Sequence, residues 1–248
     1  MREASLPTFF EFFAGGGMVR AGLGAEWKCL FANDFDPKKV AAYATNWGNS
    51  EVLQADVRTL VLNDLPDETP DLVWASFPCQ DLSLAGEGAG LSGGRSGSFW
   101  PFWNLIKQMI RAGRTPSIIA LENVGGTLTS HEGRDFKAIV QAFLDIGFDV
   151  GAMMIDARLF VPQSRPRLFF IGVPAEQAPG LSLVNDNTWH PKALRRAYAA
   201  LPRRMQSRWI WWQPPSPASR NTRFADLLED SPADVPRHSK AQTRALIG

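Results

Sequence analysis

The sequence predicts an α/β fold, a doubly wound and mostly parallel sheet with helices on both faces. Up to Val173, short apolar runs alternate with longer amphipathic stretches, and the first apolar run leads directly into a glycine-rich turn. Strands that alternate with helices are typical of parallel sheets. The sequence shows no internal repeat that would indicate a solenoid or propeller instead.

The elements follow from this alternation in chain order. Seven apolar runs predict strands at Thr8–Phe12, Cys29–Ala32, Val52–Gln54, Leu72–Ser76, Ser117–Leu121, Val150–Ile155 and Leu168–Val173. Helical patterns between several of them are clearest at Pro37–Asn46, Phe99–Ala112 and Asp135–Ile146.

Composition excludes several classes of protein. Apolar residues make up 45% of the 248 residues, which is enough for a packed core, and no apolar run approaches the roughly 18 residues of a membrane helix. The N-terminus lacks the layout of a signal peptide. Two cysteines, Cys29 and Cys79, form neither a disulfide framework nor zinc-ligand spacing, so we expect a cytoplasmic protein with reduced thiols and no metal.

The C-terminal part differs in composition, which predicts one domain at 1–175 and an extension at 176–248. Half of the 18 prolines lie in residues 174–248, and Trp189–Arg223 contains eight Lys or Arg residues and no acid. Such a basic segment is suited to binding phosphate groups. The extension is expected to be a separate module, a linker, or part of something unfinished.

The glycine turn and two acids indicate a ligand at the carboxyl edge of the sheet. Glu11–Met18 reads EFFAGGGM, and its glycines let the backbone approach a ligand closely, although glycines also serve packing. Asp34 follows the second strand and can accept hydrogen bonds from ribose hydroxyls; Asp56 follows the third and can bind an adenine amine. A helix start and an ordinary turn are the respective alternatives.

A cysteine and an acid follow the next two strands of the sheet. Cys79 lies in a polar loop after Pro78, where a thiolate nucleophile would be accessible, whereas Cys29 lies inside an apolar strand. Glu122 ends the fifth strand, and because adjacent parallel strands end at one edge, both side chains can face one pocket. The glycine- and serine-rich stretch after Cys79, from Gly86 to Gly97, predicts a mobile lid or a flexible linker.

Together these strings resemble the bacterial C5 cytosine DNA methyltransferases. The matching strings are FAG at 13–15, PCQ at 78–80, ENV at 122–124 and QSRPR at 163–167, and the resemblance covers roughly residues 8–173. It implies the Rossmann-like fold of S-adenosylmethionine-dependent methyltransferases. It also implies methyl transfer from S-adenosylmethionine to carbon 5 of a cytosine flipped out of double-stranded DNA, with a role in restriction–modification.

The resemblance also implies roles for individual residues. Cys79 would attack carbon 6, Glu122 would hold or protonate ring nitrogen 3, Arg165 would bind the cytosine carbonyl and Arg167 would support that site. The cofactor pocket would be lined by Phe13, Ala14, Gly15, Gly17, Asp34, Phe35, Asp56, Val57 and Pro78. DNA contacts would come from Gln80, Ser83 and Arg95. The chain departs from the family pattern at Met18, where a second paired glycine is usual, and at Glu11, where Asp is commoner.

The resemblance makes residues 1–175 the catalytic domain and residues 176–248 the start of a target-recognition region or a subunit-docking segment. Family members carry a whole target-recognition domain followed by a terminal helix, and this sequence shows no segment that matches the terminal helix. We expect a second polypeptide to supply them, as in split enzymes of this family; a truncated chain and a chain that acts alone are the alternatives. Transfer RNA as substrate and a catalytically silent regulatory partner are competing functions. A dehydrogenase is disfavoured because the full GxGxxG fingerprint is absent.

Overall fold

The described strands form one seven-stranded mixed sheet. The computed structural model describes residues 5–78, 96–178, 188–229 and 239–247. The strand order is β3-β2-β1-β4-β5-β7-β6, in which β7 runs antiparallel to both neighbours and the other adjacent pairs are parallel. The strands are β1 Thr8–Phe12, β2 Lys28–Asp34, β3 Val52–Gln54, β4 Leu72–Ala75, β5 Ile118–Asn123, β6 Phe148–Asp156 and β7 Pro166–Pro174.

Helices connect most of the parallel strands, as the alternating pattern predicts. The helices are α1 Met18–Leu23, α2 Pro37–Trp47, α3 Phe99–Arg111, α4 Arg134–Asp145, α5 Lys192–Ala199, α6 Arg203–Gln206 and α7 Lys240–Ile247. The predicted mostly parallel α/β fold is confirmed, and the observed element boundaries differ from the predicted ones by a few residues at most. None of the helices in the described ranges is long and apolar enough to cross a membrane.

The core lies on both faces of the sheet because side chains alternate along each strand. On β1, Phe10 and Phe12 face the larger cluster, which includes six buried side chains of α3 and five of α4, whereas Phe9 faces the other side. That second face is thinner: α2 buries only Tyr43, and α1 buries no residue. Trp74 on β4 is partly buried there.

Residues 188–215 pack with the sheet rather than apart from it. One compact unit contains Met1–Asp156 and Pro166–Pro215; a second contains Ala157–Arg165 and Ser216–Gly248. Trp209 makes a parallel bridge with Val150 of β6, and Ile210 donates to the Val150 carbonyl at 3.0 Å. The composition change at residue 175 therefore does not coincide with the division into compact units, and the roles predicted for 1–175 and 176–248 remain predictions.

The described part of the second unit consists of residues 157–165, 216–229 and 239–247, and the last of these segments contains α7. Within it, the Arg220 guanidinium donates to the carbonyls of Arg158 and Val161, both at 3.2 Å. Phe224, Leu227 and Leu228 in this unit are exposed.

Candidate active site

The glycine turn after β1 has a backbone that only certain residues adopt easily. Gly15 and Gly17 have positive φ angles of 56° and 81°, and Phe13 has a φ of 57°. Positive φ is uncommon for a bulky residue and often marks a ligand-binding site. The turn is closed by a hydrogen bond from Gly17 N to the Ala14 carbonyl at 2.9 Å.

Asp34 at the end of β2 holds this turn in place. Its carboxylate accepts hydrogen bonds from the backbone N–H of Gly15 and of Asp36, each at 3.0 Å, and the residue is only 3% exposed. Lys39 Nζ lies 3.9 Å from the same carboxylate. The direct observation for Asp34 is therefore a contact with the chain's own backbone, and its predicted contact with a ribose remains a prediction.

Asn33 connects β2 to the segment that follows β3. Its side-chain amide donates to the carbonyls of Leu53 and Ala55 at 3.0 and 2.9 Å. Ala55 N also donates to the Asp34 carbonyl at 3.2 Å. These bonds place Ala55 and the residues after it beside the glycine turn.

An open cavity of about 210 Å³ lies at this carboxyl edge. Five of the predicted cofactor residues line it, namely Phe13, Phe35, Asp56, Val57 and Pro78. The Phe35 ring is accessible to a ligand, since the residue is 61% exposed. The other cavity-lining residues were not predicted: Asn33, Ala55, Arg58 and Ser98. Asn33, Ala55 and Arg58 lie within two positions of predicted residues, which was the available signal.

Asp56 in this cavity is paired with Arg58. Arg58 Nε lies 3.0 Å from both carboxylate oxygens, and the Arg58 backbone N–H donates to Oδ1 at 2.9 Å. These hydrogen bonds from Arg58 hold the pKa of Asp56 below its ordinary value. A ligand amine that reached Asp56 would share the carboxylate with this guanidinium.

Glu122 lies at the same edge, on β5, with a partner for each carboxylate oxygen. Ser76 Oγ donates to Oε2 at 2.7 Å, and Arg167 Nε lies 3.2 Å from Oε1. The structure thus brings Glu122 and Arg167 together. Ser76, which directly follows β4, was not predicted as a site residue.

The segment after β4 links the Glu122 side of the edge to the cavity. Ser76 contacts Glu122, and Pro78, two residues later, lines the cavity. Cys79, Gln80, Ser83 and Arg95 lie outside the described residues. Arg165 belongs to the second compact unit and is exposed.

Two residues at the glycine turn are unusual in their exposure. Glu11 is only 1% exposed, and burial raises its pKa to about 7. Its Oε1 accepts a long hydrogen bond from Val19 N at 3.4 Å, and Oε2 has no partner among the described residues. Met18, in contrast, is 77% exposed at the start of α1.

Comparison with known proteins gives a consistent result. Residues 7–245 match the model of the family described as C-5 cytosine-specific DNA methylase. The type II methyltransferase M.BsuFI of Bacillus subtilis is 32% identical over 167 residues, which cover 66% of this chain and 39% of that protein. M.BanI of Aneurinibacillus aneurinilyticus is 30% identical over 186 residues, which cover 72% of this chain and 41% of that protein. The chain spans about two-fifths of the length of these relatives.

Solved structures agree on the fold. A putative DNA modification methyltransferase encoded within an E. coli prophage superposes with a TM-score of 0.57 at 21% identity, covering 72% of this chain and 49% of that one. The Dnmt2 methyltransferase of S. pombe gives a TM-score of 0.54 at 20% identity, covering 68% of this chain and 49% of that one.

Proposed function

Because this chain belongs to the C-5 cytosine-specific DNA methylase family, we propose that it transfers a methyl group from S-adenosylmethionine to carbon 5 of cytosine in DNA. The main support for this proposal is the position of the segment from Ser76 to Pro78: Ser76 hydrogen-bonds to Glu122, and Pro78 lines the cavity. Cys79 follows Pro78 directly in the sequence. The cavity and the acid lie at one edge of the sheet, and the proposed nucleophile is the next residue of the chain after Pro78.

The residues around the cavity fit S-adenosylmethionine. The exposed Phe35 ring and the Val57 side chain offer apolar surface to an adenine ring, and Asp56 offers an acceptor to its amine. Gly15 has open space above it, since an added Cβ would meet no atom within 4 Å. We assign the methionine end to the glycine turn, including Ala14 and Gly17. The bound cofactor supplies an electrophilic methyl group on a sulfonium.

The proposed chemistry divides between a sulfur and a carboxyl group. The Cys79 thiolate forms a bond to carbon 6 of cytosine while Glu122 holds or protonates ring nitrogen 3. Electron density then moves to carbon 5, which becomes nucleophilic and accepts the methyl group. Loss of the carbon-5 proton and of Cys79 restores the aromatic ring. A base stacked inside a duplex cannot reach a side chain in this way, so the cytosine must be flipped out.

Arginines and the segment after Cys79 complete the proposed site. Arg167 stabilises the Glu122 carboxylate, and Arg165 binds the cytosine carbonyl. Gln80, Ser83 and Arg95 contact the DNA. Double-stranded DNA is the proposed partner, and restriction–modification in the cytoplasm is the proposed context.

We further propose that a second polypeptide supplies target recognition and the terminal helix that closes the cofactor site. One observation supports this: α1, beside the glycine turn, buries no residue. Residues 1–175 would carry catalysis, and 176–248 would begin the recognition region or dock the second polypeptide. The isolated chain would then methylate DNA poorly or not at all.

Transfer of labelled methyl groups tests the activity. The chain is assayed alone and together with the polypeptide of the adjacent reading frame, on duplex DNA and on transfer RNA in parallel. Incorporation into DNA, lost in Glu122→Gln, supports the proposal. Incorporation into transfer RNA alone would show that RNA, and not DNA, is the substrate. Strong sequence-specific methylation by the isolated chain would show that no second polypeptide is needed.

A covalent trap tests the nucleophile. DNA containing 5-fluorocytosine should form an adduct that survives denaturation, because the fluorine blocks release of the sulfur. Cys29→Ala is the matched control, because Cys29 is buried and its sulfur lies within hydrogen-bond distance of the Tyr43 hydroxyl, at 3.4 Å. The adduct should persist in Cys29→Ala and disappear in Cys79→Ser; the reverse would reject the assignment of Cys79.

A further inference from the structure

The Ser76 hydroxyl lies between the indole of Trp74 and the carboxylate of Glu122. Trp74 Nε1 lies 2.9 Å from Ser76 Oγ, and Ser76 Oγ lies 2.7 Å from Glu122 Oε2. The Trp74 ring is itself held edge-on against Phe169 of β7, with centroids 5.9 Å apart. The three polar groups form one hydrogen-bonded chain.

The chemistry of indole fixes the direction of this chain. An indole N–H can only donate, so Ser76 Oγ must accept from Trp74. The single hydroxyl hydrogen of Ser76 is then left for Glu122 Oε2. With a donor already in place, the hydroxyl is held with its hydrogen towards the carboxylate instead of rotating among alternatives.

Strand alternation explains why these residues meet. Trp74 on β4 and Ser76 directly after it are two positions apart, so both side chains lie on the same face of the sheet. Glu122 on neighbouring β5 pairs in register with Phe169 of β7, and Arg167 lies two residues from Phe169. One face of three adjacent strands therefore carries the whole arrangement.

Among the described residues, each oxygen of Glu122 has one donor, which leaves further acceptor capacity. Ser76 contacts Oε2 and Arg167 contacts Oε1, and a carboxylate offers about four lone-pair sites in total. The Glu122 side chain is 22% exposed, so it remains reachable from solvent. Two donors on different oxygens restrict the rotation of the carboxyl group and leave lone pairs free to accept further hydrogen bonds.

We propose that Ser76, oriented by Trp74, is a positioning residue that sets the orientation of the Glu122 carboxylate for the methyl-transfer reaction. This inference rests on the proposed role of Glu122. Ser76 acts through Glu122 and needs no contact with the base. Its loss should therefore slow the chemical step and leave cofactor binding unchanged.

Kinetics of three variants test this role. Ser76→Ala should lower kcat by about tenfold to a hundredfold, the range expected for a hydrogen bond to a charged group. The KM for S-adenosylmethionine should stay unchanged, and Ser76→Thr, which keeps the hydroxyl, should recover most of kcat. Ser130→Ala is the matched control, because Ser130 Oγ also donates to a carboxylate, that of Asp135, at 2.5 Å.

An NMR signal tests the same chain without any enzyme assay. The indole N–H resonance of Trp74, assigned by its loss in Trp74→Phe, should shift in Ser76→Ala and also in Glu122→Ala. It should stay in place in Ser130→Ala, and the remaining indole signals report whether each variant is folded.

The outcomes separate the two levels of the proposal. Active wild-type enzyme with an unchanged kcat in folded Ser76→Ala would overturn the positioning role and leave the proposed function intact. Absence of methyl transfer by the wild type with the second polypeptide would overturn the function. In that case, an indole resonance of Trp74 that shifts in neither Ser76→Ala nor Glu122→Ala would also overturn the hydrogen-bonded chain.

Discussion

Arg167 Nε lies 3.2 Å from Glu122 Oε1, which joins β7 to β5 through their side chains. Both side chains are about four-fifths buried, at 20% and 22% exposed. An ion pair at this depth is less screened by solvent than a pair on the surface. Removal of the guanidinium would leave the carboxylate with Ser76 as its remaining described partner.

We therefore expect Arg167→Ala to lower methyl transfer by about tenfold to a hundredfold, because charged hydrogen bonds of this kind contribute about 1.5–3 kcal/mol. Arg167→Lys should recover only part of the rate, since an ammonium cannot reproduce the guanidinium geometry. The measurement is the initial rate with labelled cofactor.

Lys28→Ala is the control for this prediction. Lys28 Nζ lies 4.0 Å from Glu68, and both side chains are more than half exposed. Loss of such a surface pair should change the rate little. Equal rates in Arg167→Ala and wild type would show that the β5–β7 ion pair has no part in the reaction.

Much of the site could be predicted from the sequence because its residues are close to the ends of strands. Phe35, Asp56 and Pro78 each lie within a few residues after a strand, and the carboxyl ends of parallel strands meet at one edge. Contacts between side chains of neighbouring strands were harder to predict. Ser76 was read only as the end of β4, because a serine gives no local sign that a glutamate of another strand lies within hydrogen-bond distance.

The packing of residues 188–215 on the sheet could not be predicted from composition. Prolines and arginines indicated a separate extension, but the segment joins the sheet through backbone hydrogen bonds, tryptophan rings and other buried apolar side chains, and Arg208 pairs with Asp149 of β6 at 2.6 Å. Trp212 Nε1 donates to the Ile171 carbonyl at 2.9 Å, and Met154 N of β6 donates to the Trp189 carbonyl at 2.8 Å. Such bonds depend on tertiary proximity, which hydrophobic periodicity does not encode.

Gly17→Ala should weaken the binding of S-adenosylmethionine by about tenfold or more. An added Cβ would overlap the Trp47 indole, whose Nε1 donates to the Gly16 carbonyl at 3.2 Å, and φ at Gly17 is +81°. The free variant would relieve this strain, about 1–3 kcal/mol, by leaving the turn conformation that binds the cofactor. Each 1.4 kcal/mol needed to restore that conformation on binding costs about tenfold in affinity. Calorimetric titration with the cofactor measures the change.

Gly22→Ala is the matched control in the helix that follows. An added Cβ there meets no atom within 4 Å, and alanine is favoured over glycine in a helix. We expect unchanged affinity and a slight gain in stability. Equal affinities of Gly17→Ala and wild type would show that the glycine turn does not shape the cofactor site.

The buried Glu11 should make stability depend on pH. Burial raises its pKa from 4.5 to about 7, so within that interval the folded protein holds a proton that the unfolded chain has released. Stability from this group is therefore present at low pH and is lost as pH rises towards 7. The full cost of the ionised form is on the order of 3 kcal/mol.

Urea denaturation at pH 5.5 and pH 8 measures this effect. Glu11→Gln cannot ionise, so wild type should lose about 2 kcal/mol relative to Glu11→Gln between the two conditions. Glu51→Gln is a useful contrast, because the pKa of Glu51 is lowered rather than raised. Parallel pH dependence in wild type and Glu11→Gln would contradict the assignment.

Gly151→Ala should destabilise the first compact unit by about 2 kcal/mol or more. An added Cβ on β6 would overlap the Ile210 carbonyl, so the bridge between Val150 and Trp209 could not keep its geometry. The free energy of unfolding in urea measures the change, again with Gly22→Ala as control. A variant as stable as wild type would show that residues 209–212 contribute nothing to holding β6.

Phe35→Ala should weaken S-adenosylmethionine binding by about tenfold, because stacking of a base on an aromatic ring contributes about 1–3 kcal/mol. Phe35 lines the cavity and is 61% exposed, so its removal creates no hole in the core. Phe224→Ala removes a ring of nearly equal exposure, 63%, that does not line the cavity, and should leave the dissociation constant unchanged. Calorimetry with adenosine as a second ligand locates the effect: if the ring contacts adenine, adenosine should lose a similar factor. An unchanged constant for both ligands would place the adenine outside this cavity.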